Sequence, residues 1–177
     1  MHRHNRALGI RTAAARMQTL GAADVTLRGT YWYDLHARKP LAAGVKRALD
    51  LAVATPLVAL AAPLLLFRPV TRERRVGFRG HEFDAYLFRG PFLKALPQLL
   101  NVLNGSMSLV GPRAMMPYEV EHHDARRFTV RPGMTGLWRM CEGSERELDR
   151  QYVNDWSLRQ DLAILTKVVL RLVAPRP

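Results

Sequence analysis

From Leu51 to Phe67, seventeen consecutive residues pass without a charge. At ~1.5 Å per residue a helix of that run reaches about 25 Å, short of the ~20 residues that usually span a bilayer. Pro56 and Pro63 fall inside it. Lys46 and Arg47 precede it, and Arg68, Arg72, Arg74 and Arg75 follow it. Proline removes a helix hydrogen bond, and basic residues on both flanks favour both ends staying on the cytoplasmic side. The pattern predicts a re-entrant membrane hairpin bent at Pro56, with Pro63 a second break. A buried core helix is the alternative.

Elsewhere the apolar stretches are short and punctuated. Glycines at 77 and 80 predict a turn before a strand over Phe83 to Phe88. Leu93, Leu96, Leu100 and Leu103 recur at helical steps and predict a short helix with one buried face. Asn104-Gly105 stops it. Met107, Leu109 and Val110 then run extended, and Gly111-Pro112 breaks that run and leaves Arg113 at a loop tip. Pro117 to Arg127 reads as a helix with acids in its first turn and arginines in its last. Ser144-x-x-Glu147 and Ser157-x-x-Gln160 read as capping boxes. After Ser157, the positions Leu158, Leu162, Leu165, Val169 and Leu172 form a stripe with core packing as its default role. The fold class is α/β (α+β): a small sheet from the Val76, Phe83 and Met107 regions, flanked by helices. Residues 1–44 form a basic N-terminal extension, 45–68 the membrane anchor and 69–174 the main domain.

Charge changes this picture more than composition does. The 177 residues carry a net charge of +12, which points to an anionic partner such as membrane lipid, nucleotide or nucleic acid. Nucleic acid is disfavoured, because no zinc site, recognition helix or aromatic–basic repeat accompanies the charge. Cys141 is alone, so no disulfide forms within one chain. His122-His123-Asp124 reads as a solvated helix face, and no metal site is expected. Arg113 on its loop suits a phosphate, since a guanidinium fork matches phosphate oxygens.

Three ordered blocks carry a resemblance. Leu96-Pro97-Gln98-Leu99 with Asn101-Val102-Leu103 and Met107 to Arg113 is the first. Val130-Arg131-Pro132-Gly133-Met134-Thr135-Gly136 is the second. Asp149 to Leu165, with Tyr152-Val153, Trp156-Ser157 and Asp161-Leu162, is the third. Together they resemble the bacterial sugar transferase family, the monotopic phosphoglycosyl transferases that load a sugar phosphate onto polyprenyl phosphate.

The resemblance implies a membrane protein of the bacterial inner membrane, facing the cytoplasm. Its partners would be membrane lipid, polyprenyl phosphate and a nucleotide sugar, with homo- or hetero-oligomers open. It implies phosphate or substrate contacts at Arg75, Arg89, Gly111, Pro112, Arg113 and Arg131, and Mg²⁺ as cofactor. In the family an Asp-Glu pair directly precedes Leu-Pro-Gln-Leu. Its Asp takes the phosphosugar, and the carboxylates hold Mg²⁺. Here those positions are Lys94 and Ala95. A carboxylate attacks phosphorus and binds a hard cation; a protonated lysine does neither. The family's second hairpin arm, and its segment between Arg89 and the pair, are also longer. The expected protein is therefore a catalytically impaired member. The alternatives are an active transferase using Asp84, Glu73 or Asp124, and an unrelated basic nucleic-acid binder.

Overall fold

The computed structural model describes residues 40–90, 93–122 and 125–173. The basic extension thus lies almost wholly outside the described residues, as do His123 and Asp124 of the histidine triplet.

Helix α1 runs from Pro40 to Phe67 and contains both prolines. This corrects the hairpin expectation: the chain is helical throughout, with no second arm separated at Pro56. A proline in a helix interior removes one hydrogen bond and crowds the carbonyl four residues back, at ~3 kcal/mol. Here those carbonyls belong to Ala52 and Ala59, and the helix continues past them. Only Asp50, Ala54 and Ala61 along α1 are buried. Its length and composition suffice to cross a membrane.

Strands β1 (Val70–Val76) and β2 (Glu82–Phe88) pair antiparallel, in register from Val70↔Phe88 to Val76↔Glu82. The turn between them needs left-handed backbone at Arg79 and Gly80. The Asn101 side chain, itself buried, accepts from the Tyr86 N–H (2.9 Å) and donates to the Asp84 carbonyl (2.8 Å). Asn101 belongs to helix α2 (Gln98–Leu103), which is thereby fastened to the outer edge of β2. The leucine spacing predicted an earlier helix start. Residues 93–97 instead form turns, Leu93 is exposed, and the buried face is Leu99, Asn101 and Val102.

Strand β3 (Ser108–Val110) pairs in parallel with β4 (Gly133–Thr135). The single predicted sheet is therefore two separate pairs, linked by a lone bridge between Val76 and Met115. The Met107 region finds its partner in the Arg-Pro-Gly loop, 25 residues onward (Ser108↔Gly133), rather than in the hairpin. Pro117–His122 and Ala125–Thr129 are separate 3-10 turns where one helix was predicted. Three helices close the domain: α3 (Leu137–Met140), α4 (Glu145–Asn154) and α5 (Leu158–Val173). Ser157 caps α5, accepting the Gln160 N–H at 3.2 Å, whereas the Ser144 side chain makes no such bond.

The core gathers Leu99, Val102, Leu109, Val110, Tyr152, Val153, Trp156 and Ile164, with Ala54 reaching in from α1. On α5 the inward face is Asp161 and Ile164, with Leu165 and Val168 packed beside them. Leu162 and Val169 of the predicted stripe are about half exposed. Leu158 and Leu165 of the predicted stripe do pack against the core, and the stripe is turned so that Leu162 and Val169 lie at its outer side. The decisive inward residue is an aspartate.

Candidate functional site

Strand alternation sends Thr71, Glu73 and Arg75 inward on β1 and leaves Arg72 and Arg74 exposed. Arg75 donates from Nη1 to the Ala114 carbonyl (3.0 Å) and pairs through Nη2 with Glu73. The other Glu73 oxygen lies 3.7 Å from Lys94 Nζ. The Phe88 N–H donates to the Lys94 carbonyl (3.0 Å), which sets the turn that presents Lys94. Residue 94 thus faces a carboxylate 21 positions earlier in the chain. Lys94 is exposed, and Ala95 beside it is half-buried.

Gly111 and Pro112 are buried, and their backbone is spoken for. The Gly111 N–H donates to the Thr135 carbonyl (2.9 Å), the Gly111 carbonyl accepts from Trp138 Nε1 (3.2 Å), and the Pro112 carbonyl accepts from the Gly133 N–H (2.9 Å). Their role here is to bring two strands together.

Arg113 leaves the loop tip and is clamped by Glu119 and Glu145, both at 2.9 Å. Burial works against the Arg113 charge, but the Glu119 hydrogen bond and the surrounding acids outweigh it and raise its pKa. Behind the loop, Arg127 pairs with Asp149 and donates to the Arg113 carbonyl (2.8 Å). Both partners of that pair are nearly inaccessible. Three guanidiniums, Arg75, Arg113 and Arg127, therefore converge around residues 111–116, each already matched by an acid.

Burial pushes the Asp149 carboxyl up to about 6, although Arg127 and the Arg113 N–H oppose it. A carboxyl whose folded pKa is raised contributes stability that is complete below its ordinary value of 3.8 and is lost as pH rises through about 6. The melting temperature of the native chain, relative to Asp149→Asn, is thus expected to fall between about pH 4 and pH 6. A relative rise over that window would mean that the ion pair with Arg127, not burial, sets the sign.

Arg89 is exposed at the end of β2, and its carbonyl accepts from Arg68 (3.2 Å). Arg131 lies elsewhere, donating from Nε to the Gly105 carbonyl (2.9 Å), with its guanidinium 5.5 Å from the Phe78 ring centre. The structure therefore brings Arg75 and Arg113 into one cluster and places Arg131 in another.

That second cluster sits at the foot of α1. Lys46 donates to Asp161 (2.7 Å) and to the Val110 carbonyl (3.0 Å). Asp161 also accepts from the Tyr152 hydroxyl (2.8 Å) and Trp156 Nε1 (3.2 Å). Asp50 accepts from Ser108 Oγ (2.7 Å) and the Leu109 N–H (3.1 Å). Arg47 donates to the Val102 and Leu103 carbonyls (2.7 and 3.0 Å) at the C-terminus of α2, where cations are favoured. Sequence reasoning gave these residues no site role. The available signal was their spacing: positions 46, 47 and 50 share one helix face and are charged, at the entry of an apolar helix. Among the described residues, no group of three or more His, Cys, Asp or Glu side chains is placed to hold a metal ion.

Comparison with known proteins fits this architecture. The family described as "Bacterial sugar transferase" matches residues 87–175. The exopolysaccharide production protein ExoY of Rhizobium meliloti is 41% identical over 86 residues, covering 44% of this chain and 38% of its own. The undecaprenyl-phosphate galactose phosphotransferase of Salmonella typhimurium is 44% identical over 91 residues, 45% of this chain and 19% of its own. The chain thus spans well under half the length of either. The UDP-glucose:undecaprenyl-phosphate glucose-1-phosphate transferase of Caulobacter vibrioides is 34% identical over 188 aligned positions, 72% of this chain and 69% of its own. Since 72% of 177 residues is about 127, about 60 of those 188 positions have no counterpart here. With the family matching half of the chain and the Caulobacter protein matching across most of both sequences, the chain belongs to the bacterial sugar transferase family.

Proposed function

We propose that this chain is a membrane-bound family member that keeps the fold around the phosphate-binding loops and has lost the phosphoryl-transfer step. The family reaction moves a sugar 1-phosphate from a nucleotide sugar to polyprenyl phosphate for exopolysaccharide or other glycan synthesis. The names of the Salmonella and Caulobacter relatives carry that substrate class. The anchor would be α1, apolar, long and mostly bare, in the inner membrane, with the domain that follows it on the cytoplasmic side.

One observation carries the loss: where the family has its Asp-Glu pair, Lys94 turns an ammonium toward Glu73, and Ala95 offers a methyl. A protonated amine has no lone pair to attack phosphorus. Mg²⁺ requires oxygen ligands in near-octahedral array. Neither residue supplies one, and Glu73, already between two cations, would have to leave Arg75 and Lys94 to do so. These residues do not fit the ion.

The full chain in detergent, with Mg²⁺, polyprenyl phosphate and either UDP-glucose or UDP-galactose, is expected to release no UMP. Release would overturn this reading. A second reading then applies, favoured by the same contact, in which Glu73 replaces the missing nucleophile. In that case Glu73→Gln would abolish the release. Activity confined to a Lys94→Asp/Ala95→Glu double variant would support the first reading directly.

A further inference from the structure

We infer that α1 lies along one leaflet, in the plane of the membrane, instead of passing through it, and that its outward face rests on an anionic phospholipid surface. The inference rests on the reading of α1 as the anchor and is independent of whether the chain turns over a nucleotide sugar.

The helix is tied to the domain at both ends. At its foot, Lys46 reaches Asp161 on α5, Asp50 holds Ser108 and the Leu109 N–H, and Arg47 caps the C-terminus of α2. At its head, Arg68 donates to the Arg89 carbonyl (3.2 Å), with its guanidinium 4.8 Å from the Phe88 ring centre. Arg47 and Arg68 stand 21 residues apart, about 31 Å of helix. Between them Ala54 is buried in the core and Val58 packs against it. The contacts close a circuit: Arg47 binds α2, Asn101 of α2 clasps β2, and the end of β2 meets Arg68.

A helix so flanked cannot cross a bilayer alone. Its tied length matches the ~30 Å hydrocarbon core, so a foot at one surface would place the head at the other and draw the hairpin after it. The exposed Arg72 and Arg74, with Glu82 and Asp84 beside Arg74, would then stand in or beyond hydrocarbon, from which charged side chains are expelled. Nor is α1 divided into two arms, as a hairpin dipping into one leaflet must be: it is continuous through Pro56 and Pro63.

Lying flat satisfies both faces. Val45, Ala52, Ala59 and Leu66 recur at seven-residue steps, which keeps them on one side of the helix, and all four are exposed. Asp50, Ala54 and Ala61, the buried residues of α1, run along the opposite side. Pro56 and Pro63 deprive the Ala52 and Ala59 carbonyls of their usual donors. At the headgroup boundary water reaches such carbonyls; in the hydrocarbon centre none does. Leu66 and Phe67 are 80% and 87% exposed, and Arg68 and Arg72 follow them. Bare apolar side chains bounded by arginines, in a chain of net charge +12, complement an anionic leaflet.

The test uses the full chain carrying Cys141→Ser, which removes its single cysteine, together with Val45→Cys, Ala52→Cys, Ala59→Cys or Leu66→Cys. Each is labelled with a nitroxide on vesicles of phosphatidylcholine mixed with phosphatidylglycerol. Depth is read from collisions with oxygen against those with a water-soluble nickel chelate. All four sites are expected at one shallow level, within about 5 Å of each other and near the headgroup–acyl boundary. Ala52 and Ala59 lying about 10 Å or more below Val45 and Leu66 would overturn the inference, since that profile belongs to a crossing or re-entrant helix. Four sites shielded from both quenchers would overturn it in favour of a second copy covering α1. The unmodified chain is expected to float with the mixed vesicles, and at least about fivefold less with pure phosphatidylcholine, the attraction of one basic residue near the surface. Equal flotation would overturn the anionic partner. A chain that floats with neither overturns the anchor reading as well, whereas a deep profile in a floating chain leaves that reading standing.

Discussion

Asp161→Ala is expected to destabilise the chain by about 3–5 kcal/mol, the range for removing one partner of a buried ion pair. Three donors end on that carboxylate: the Lys46 ammonium, the Tyr152 hydroxyl and the Trp156 indole. The Lys46 and Asp161 side chains are only 13% and 8% exposed. Alanine would remove the carboxylate from all three, and the Val110 carbonyl is already used by Lys46 and Tyr152. Because Lys46 lies on α1 and Asp161 on α5, the damage should appear as loss of helix docking. Denaturant unfolding in detergent micelles would measure it. A Lys46→Met/Asp161→Leu double variant should recover much of the loss, since replacing a buried pair by apolar residues is often near neutral. A single variant costing under about 1 kcal/mol would show that the network is a solvated ornament.

Gly133→Ala is the second large effect, expected at about 4 kcal/mol or more, or no folded protein at all. A β-carbon there would lie 2.0 Å from the Gly111 nitrogen, 2.4 Å from the Thr135 oxygen and 2.6 Å from the Val110 carbonyl carbon. All three are backbone atoms, so no rotamer change relieves the overlap, and the β3–β4 pairing must open. Gly44→Ala provides the contrast. It sits on α1 with nothing within 4 Å of the added carbon, so the substitution should stabilise by up to about 1 kcal/mol through helix propensity. Thermal melts of both variants would check the pair, and a mild Gly133→Ala would mean that this strand contact is loose.

These two sites also show what sequence reading reaches. The Leu-Pro-Gln-Leu, Gly-Pro-Arg and Arg-Pro-Gly blocks were legible because family resemblance preserves local order, and β2 and α5 because alternation and capping are local. The contacts that matter most are not local. Glu73 meets Lys94, Arg127 meets Asp149 and Lys46 meets Asp161 across separations that no periodicity encodes. The inward turn of α5 followed from Asp161, a residue that hydropathy places outside until its three partners are known. The helix through Pro56 and Pro63 was misread because proline weakens a helix by an amount that its surroundings can absorb. Arg131 was visible as a residue, but its contacts with the Gly105 carbonyl and the Phe78 ring were not.

The Asn101 clasp bears on self-association. A two-stranded hairpin normally offers two open edges onto which a strand from another copy can add. On the β2 side, Asn101 occupies Tyr86 and Asp84, and the turn at Lys94 occupies the Phe88 N–H. Addition is left to β1, where the exposed Arg72, and Arg74 beside Glu82 and Asp84, would face like charges in a copy paired with these positions opposite one another. The hairpin is thereby protected against filament growth on both sides, by a capped edge and by a repelling one, in a chain whose bare apolar helix would otherwise crowd copies together in a membrane.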